Sequence, residues 1–178
     1  MGSDKSRLRL GRRTLLGHVR AAVATLGFPI RVIRRDLVPR CGPLGGIHTA
    51  LQQSRAEKVL ILACDMPDVT QGWLQSLLLA LPTGELALFS SADGRAGFPM
   101  LLRREACETI VRQQIERQQF SLQQLCESLQ SRVMPATGGL ADGLVNLNTP
   151  GELEQARRRR RVRSPARQLN PEISVHHD

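Results

Sequence analysis

Leu15, Leu16, Val19, Ala22, Val23 and Leu26 recur at three- and four-residue spacing in TLLGHVRAAVATL, which predicts an amphipathic helix over 14–26 ended by Gly27. PIRVIRRD, 29–36, reads as a short strand, and GGIHTALQQS, 45–54, as a helix opening on a glycine-rich turn. KVLILACD, 58–65, is apolar without alternation, the pattern of a strand covered on both faces, and is predicted to be central in a parallel sheet. TQGWLQSLLLAL follows as a helix with Thr70 at its N-cap. ELALFSS and FPMLLRR read as extended, and REACETIVRQQIERQ as helical. SLQQLCESL starts with Ser121 and Gln124 at capping-box spacing, and TPGELEQARRRR has Thr149 as N-cap, Pro150 at N1 and Glu152 at N3. From Arg163 onward periodicity stops. The expectation is one domain over 1–162 followed by a disordered basic tail over 163–178. Strands alternating with helices predict a three-layer, Rossmann-like α/β fold with a mostly parallel sheet, whose ligand site lies in the loops at the carboxyl ends of the strands.

Composition adjusts this picture little. The chain has 178 residues, 41% of them apolar, which suits one folded domain with a sizeable core. Its formal charge of +9 divides unevenly: from Ala156 on, seven arginines against Glu172 and Asp178 give +5, and the remaining 18 basic and 14 acidic residues give +4. Nucleic-acid binding is an alternative raised by the run RRRRRVR, but none of the five aromatic residues lies in that run as a stacking platform would require. The longest strongly apolar runs, VLILAC and LLLAL, are too short to cross a bilayer. Cys41, Cys64, Cys107 and Cys126 lack the close pairing of zinc or redox sites, so reduced thiols in a cytoplasmic protein are expected.

Four loops carry candidate chemistry. In ACDMPDV an apolar strand delivers Asp65 at its carboxyl end, where a carboxylate suits a magnesium ion held on a substrate phosphate; the plainer reading is a turn former. In CGPLGGIHTAL the pair Gly45 and Gly46 opens a helix whose free N–H groups could face an anion, or simply marks a tight turn. MGSDKSRL supplies Lys5, a flexible point charge suited to phosphate oxygens, with Gly2 allowing close backbone approach; beside Asp4 it is equally a solvated surface pair. In VNLNTPGEL, Asn146 and Asn148 alternate and would emerge on one face of an extended segment, though asparagine before a helix is also a common cap. Singly, none of the four decides between its two readings.

Taken in order, MGSDKSRLRLG, GPLGGIHTAL, ACDMPDV and NLNTPGEL resemble the molybdenum cofactor guanylyltransferases and the wider superfamily of nucleotidyltransferases acting on molybdopterin and on sugar phosphates, from Met1 to about Arg158. The resemblance implies transfer of GMP from GTP to molybdopterin with release of pyrophosphate, and Mg²⁺ as cofactor. It implies Gly2, Asp4 and Lys5 around the triphosphate, Lys5 also acting in catalysis, and Asp36, ahead of the Gly-Pro-Leu turn, with Gly45 and Gly46 against the nucleotide. Asp65 would be the catalytic magnesium ligand, and Asn146 and Asn148 would lie on the molybdopterin side. Cofactor-biosynthesis or molybdoenzyme partners are implied too.

The chain departs from the family's pattern at two places. The family begins with an apolar strand and a Leu-Ala-Gly-Gly-x-Ser-x-Arg loop that this sequence lacks before Met1, and there is no room between HVRAAVATLG and FPIRVIRRD for an additional strand. The expectation is that Met1 corresponds to an internal methionine of a longer frame, and that the chain folds poorly or binds GTP weakly without the first strand. A CTP- or sugar-phosphate-using enzyme and a catalytically impaired remnant are the alternatives.

Overall fold

The computed structural model describes residues 7–163. Gly2, Asp4 and Lys5, and the tail expected over 163–178 except for Arg163, which is helical, lie outside the described residues. The chain begins with a small antiparallel hairpin, β1 (Arg9–Leu10) and β2 (Arg13–Thr14), followed by α1 (Leu15–Ala24). Then come α2 (Pro43–Gln53), β3 (Lys58–Ile61), α3 (Gln71–Ala80), β4 (Ala87–Ser91), β5 (Gly97–Arg103), α4 (Arg104–Glu116) and α5 (Leu122–Ser128). β6 (Arg132–Pro135), α6 (Gly139–Gly143) and α7 (Pro150–Arg163) complete the order.

Local signals account for most boundaries. Thr14 caps α1, its side chain accepting from Gly17 N at 3.0 Å, and Gly27 at φ +74° takes the left-handed conformation that ends the segment. Thr70 caps α3 by accepting from Trp73 N at 3.2 Å. At α7 the capping box is complete: Glu152 N donates to Thr149 Oγ1 at 3.2 Å, while Glu152 Oε2 accepts from Thr149 N at 2.9 Å. The box expected at α5 does not form. Ser121 makes no side-chain cap, and the neighbouring Gln123 instead accepts from Ala96 N at 3.3 Å.

The main sheet has the order β3-β5-β4-β6. β3, β4 and β6 share one direction and β5 opposes them, so the expectation of a mostly parallel sheet holds for strand directions but not for pairings: β3–β5 and β4–β5 are antiparallel and only β4–β6 is parallel. The reason is the short 92–96 connection, which can join β4 to β5 only as a hairpin. Alternate strand residues point to opposite faces. Ala87, Phe89, Met100 and Leu102 pack with Leu44, Ile47 and Leu51 of α2, Cys107 and Val111 of α4, and Leu125 of α5. Leu88 and Leu101 pack on the other face with Trp73 and Leu77 of α3. The three layers are therefore as expected.

Two expectations are corrected. β3 is not central: among the described residues its strand neighbour is β5 on one side, and its residues are exposed or half-buried. Val59 and Ile61 face the α2 side and Leu60 the α3 side, so both faces are covered while one hydrogen-bonding edge is not. A continuous apolar run reports covered faces, not paired edges. Likewise 29–36 forms no strand, because an extended segment becomes one only through a ladder partner. No helix of the described residues is long and apolar enough to cross a membrane.

Candidate active site

β3 runs out at Ile61 and the chain turns at Cys64–Asp65 and again at Pro67–Asp68. Asp65 stands half-buried at this carboxyl end, as a strand-end carboxylate should. Its main-chain oxygen accepts from Leu147 N at 2.9 Å, which ties ACDMPDV to VNLNTPGEL across more than eighty residues. Leu147 is buried, whereas Asn146 and Asn148 on either side are exposed, so the alternation puts both amides on the same outward face. Gly143 fixes the spacing of the two segments: a Cβ there would stand 2.8 Å from the Asp68 carbonyl oxygen. The Glu152 carboxylate that caps α7 also accepts from Asn148 N, so the helix start and the asparagine segment form one unit.

A second group gathers at the start of α2. The Asp36 carboxylate lies directly over Gly45 and Gly46, where an added Cβ would come within 2.7 Å of Oδ2 at Gly45 and 3.7 Å of Oδ1 at Gly46. The Thr49 hydroxyl holds this loop in place, donating to Gly45 O at 2.8 Å and accepting from Leu37 N at 2.9 Å. Gly45 therefore meets a specific need, the close approach of Asp36 and of Val38 O to the first turn of a helix whose N-terminal field favours a carboxylate. α2 enters β3 through the short connection 54–57, so the two run oppositely and the start of α2 lies at the carboxyl end of β3. The Asp36–Gly45–Gly46 group and the Asp65–Asn146–Asn148 group thus share one end of the sheet.

The side chains that these two tied loops offer are oxygen donors, the Asp65 carboxylate and the exposed amides of Asn146 and Asn148. Among the described residues no three His, Cys, Asp or Glu side chains converge as a zinc-type cage would need. A carboxylate among oxygen-bearing side chains suits a hard cation such as magnesium, which takes phosphate and water oxygens for the rest of its shell. Three of the four thiols are not candidates for chemistry. Cys107 is fully buried and its pKa is pushed up to about 11, chiefly by burial, with Arg103 pulling partly the other way. Burial raises that of Cys126 as well, and Cys41 is 4% exposed with Sγ 3.5 Å from Pro39 O.

One part of this region is invisible in the motifs. Arg160 of α7 donates Nε to Asp68 Oδ1 at 3.1 Å, pairs with the same oxygen through a terminal nitrogen, and donates to Pro67 O at 3.2 Å. Its other terminal nitrogen lies 3.2 Å from His18 Nδ1. His18 Nε2 is 2.8 Å from Leu10 O, so the tautomer with the proton on Nε2 leaves Nδ1 to accept from Arg160. The only advance sign is that Arg157 and Arg160 are spaced to share a helix face.

The family described as "MobA-like NTP transferase domain" matches residues 1–133. Over 167 residues the chain is 26% identical to a protein of Flavobacterium johnsoniae named "Probable molybdenum cofactor guanylyltransferase", covering 86% of this chain and 87% of that one. A protein of the same name from Opitutus terrae is 28% identical over 181 residues, with 89% of each chain covered. Among solved structures, molybdopterin-guanine dinucleotide biosynthesis protein A from Archaeoglobus fulgidus superposes with a TM-score of 0.70 at 19% identity, covering 90% of this chain and 92% of that one. A 2-C-methyl-D-erythritol 4-phosphate cytidylyltransferase from Thermus thermophilus gives 0.66 at 17%, covering 88% and 94%, and both support the shared fold.

Proposed function

Because the chain belongs to the MobA-like NTP transferase family, we propose that it is a magnesium-dependent nucleotidyltransferase of molybdenum cofactor biosynthesis, transferring GMP from GTP to molybdopterin in the cytoplasm. The observation that carries this reading is the 2.9 Å bond from Leu147 N to the main-chain oxygen of Asp65, which ties the loop bearing the strand-end carboxylate to the segment bearing the paired asparagines. In the proposed reaction the terminal phosphate of molybdopterin attacks the α-phosphorus of GTP, the bond to the bridging oxygen of the β-phosphate breaks, and pyrophosphate leaves.

Each group has a role suited to its chemistry. Asp36 accepts hydrogen bonds from the base, and guanine offers the N–H donors a carboxylate needs, with Gly45 and Gly46 keeping the backbone close. Asn146 and Asn148, exposed side by side, offer amide donors and acceptors to the polar edge of the pterin. Lys5, with Gly2 and Asp4, holds the phosphates that depart. Asp65 would hold the metal, which when bound neutralises phosphate charge and aligns the reacting oxygens. Positioning and electrostatics suffice for such a transfer, and no covalent enzyme intermediate is required.

The test is calorimetric titration of the chain with GTP, CTP and ATP in magnesium, together with pyrophosphate release when molybdopterin is added. Selective GTP binding and molybdopterin-dependent release are expected. Binding of CTP in place of GTP would move the assignment to a cytidylyltransferase, and no binding of any of the three would refute it.

A further inference from the structure

We propose that an arginine-lined cavity between the amino-terminal hairpin and α7 is a binding site for a multiply charged phosphate group, distinct from the Asp36 and Asp65 groups. The cavity is open, about 640 Å³ in volume, and its walls include Gly11, Arg12, Arg13, His18, Arg157 and Arg160. Each of the four guanidiniums carries a positive charge. Arg160 is matched by Asp68, and Arg157 lies 3.5 Å from Glu154. Arg12 and Arg13 have no ion-pair partner among the described residues, and both are exposed. The wall therefore carries an uncompensated charge of about +2, in a concavity that focuses the field.

The backbone holds these side chains in register. Gly11 and Arg12 form the two-residue turn between β1 and β2, with Leu10 opposite Arg13, and Gly11 at φ +65° supplies the positive φ such a turn requires at its first position. Arg9 donates to Arg12 O at 2.8 Å, which stiffens the turn. On the facing wall Arg157 donates to Arg9 O at 3.1 Å and so docks α7 on the hairpin. Arg160 is fixed by Asp68, Pro67 O and His18, so it braces the cavity more than it offers free donors. Planar guanidiniums converging from two elements match the oxygen geometry of phosphate, and two excess positive charges match a phosphate monoester dianion or part of a pyrophosphate.

The inference does not depend on the nucleotidyl-transfer reading, and its test is kept separate from it. The full chain is titrated with inorganic pyrophosphate in EDTA, which removes any metal-assembled phosphate site at Asp65. An arginine-dependent site is expected, with affinity at least tenfold weaker in Arg12→Ala/Arg13→Ala and unchanged in Asp65→Asn and in Lys5→Ala, which removes the cation assigned to the departing phosphates. Melting curves check that the double variant folds, and Arg12→Gln/Arg13→Gln, which keeps the side-chain length, is expected to show the same loss. Absence of binding to the wild type, or wild-type affinity retained in both double variants, overturns the proposal. Parallel titration with glycerol 3-phosphate distinguishes the source. Preference for the monoester assigns the cavity to a phosphate monoester, and preference for pyrophosphate assigns it to a diphosphate.

Discussion

Cys107 is the clearest case of a residue whose behaviour follows from burial. Its thiol donates to Leu86 O at 3.3 Å inside the core under α4, and burial moves its pKa from 9.0 to about 11. The unfolded chain therefore loses this proton before the folded one does. The corresponding stability is fully present below pH 9 and is lost as pH rises toward 11, by about 3 kcal/mol if the shift is expressed in full. Denaturant unfolding between pH 8.5 and 11 should show a steeper loss for the wild type than for Cys107→Ala, and parallel curves would contradict the assignment. Asp65 is the opposite kind of residue, half-buried at a loop and set by its main chain. Asp65→Asn is expected to lower magnesium-dependent pyrophosphate release on the order of a hundredfold while moving the melting temperature little. Lost stability with an intact magnesium response would make it a turn former instead.

At the scale of elements, the start of α2 is where a helix and a loop depend on each other. Gly45→Ala would bring a methyl 2.7 Å from Asp36 Oδ2 and 3.0 Å from Val38 O, and since the second contact is backbone the loop itself must move. A loss of about 1–3 kcal/mol in stability, with weaker GTP binding, is the expected result by equilibrium unfolding and calorimetry. At Gly46 the nearest atom is 3.7 Å away and the backbone is helical, so Gly46→Ala should be neutral or stabilising by up to about 1 kcal/mol. Equal effects at the two positions would mean the glycines serve only the turn. β3 carries the other lesson at this scale. It matches the run KVLILACD, yet helices cover its faces and no strand of the described residues pairs with its outer edge.

Across the whole molecule, the Arg160 network connects three segments that no local pattern links. Asp68 follows the candidate metal residue, His18 lies in α1 and Arg160 in the last helix, so one guanidinium spans 92 and 142 residues of sequence. A double-mutant cycle on Arg160→Ala and Asp68→Ala should give a coupling of about 1 kcal/mol, small because both side chains are about one-third exposed. Zero coupling would show that the ends of the chain are held by apolar packing alone, through Leu10, Leu15, Leu147, Leu153 and Ala156. Removal of Ser164–Asp178 is expected to leave the melting temperature unchanged, because that stretch lacks the apolar period needed to dock. A drop of several degrees would give the segment a place in the fold.

Short-range signals in the sequence determined much of this protein. Helical spacing in TLLGHVRAAVATL, the caps Thr70 and Thr149 with Glu152, and the alternation around Leu147 act over a few residues, and the structure reproduces each. The order of the four motifs pointed to the family for the same reason, since each loop carries its own chemistry in its own few residues. What tertiary structure alone decided is which edges pair and which distant charges meet. The strand expected at 29–36 has no ladder partner, β5 inserts between β3 and β4, and α7 brings Arg157 onto a hairpin 148 residues earlier in sequence and Arg160 onto Asp68 and His18. Ladder pairing and charge convergence depend on where elements separated by long stretches of chain come to rest. Residue spacing within one segment carries no record of that placement.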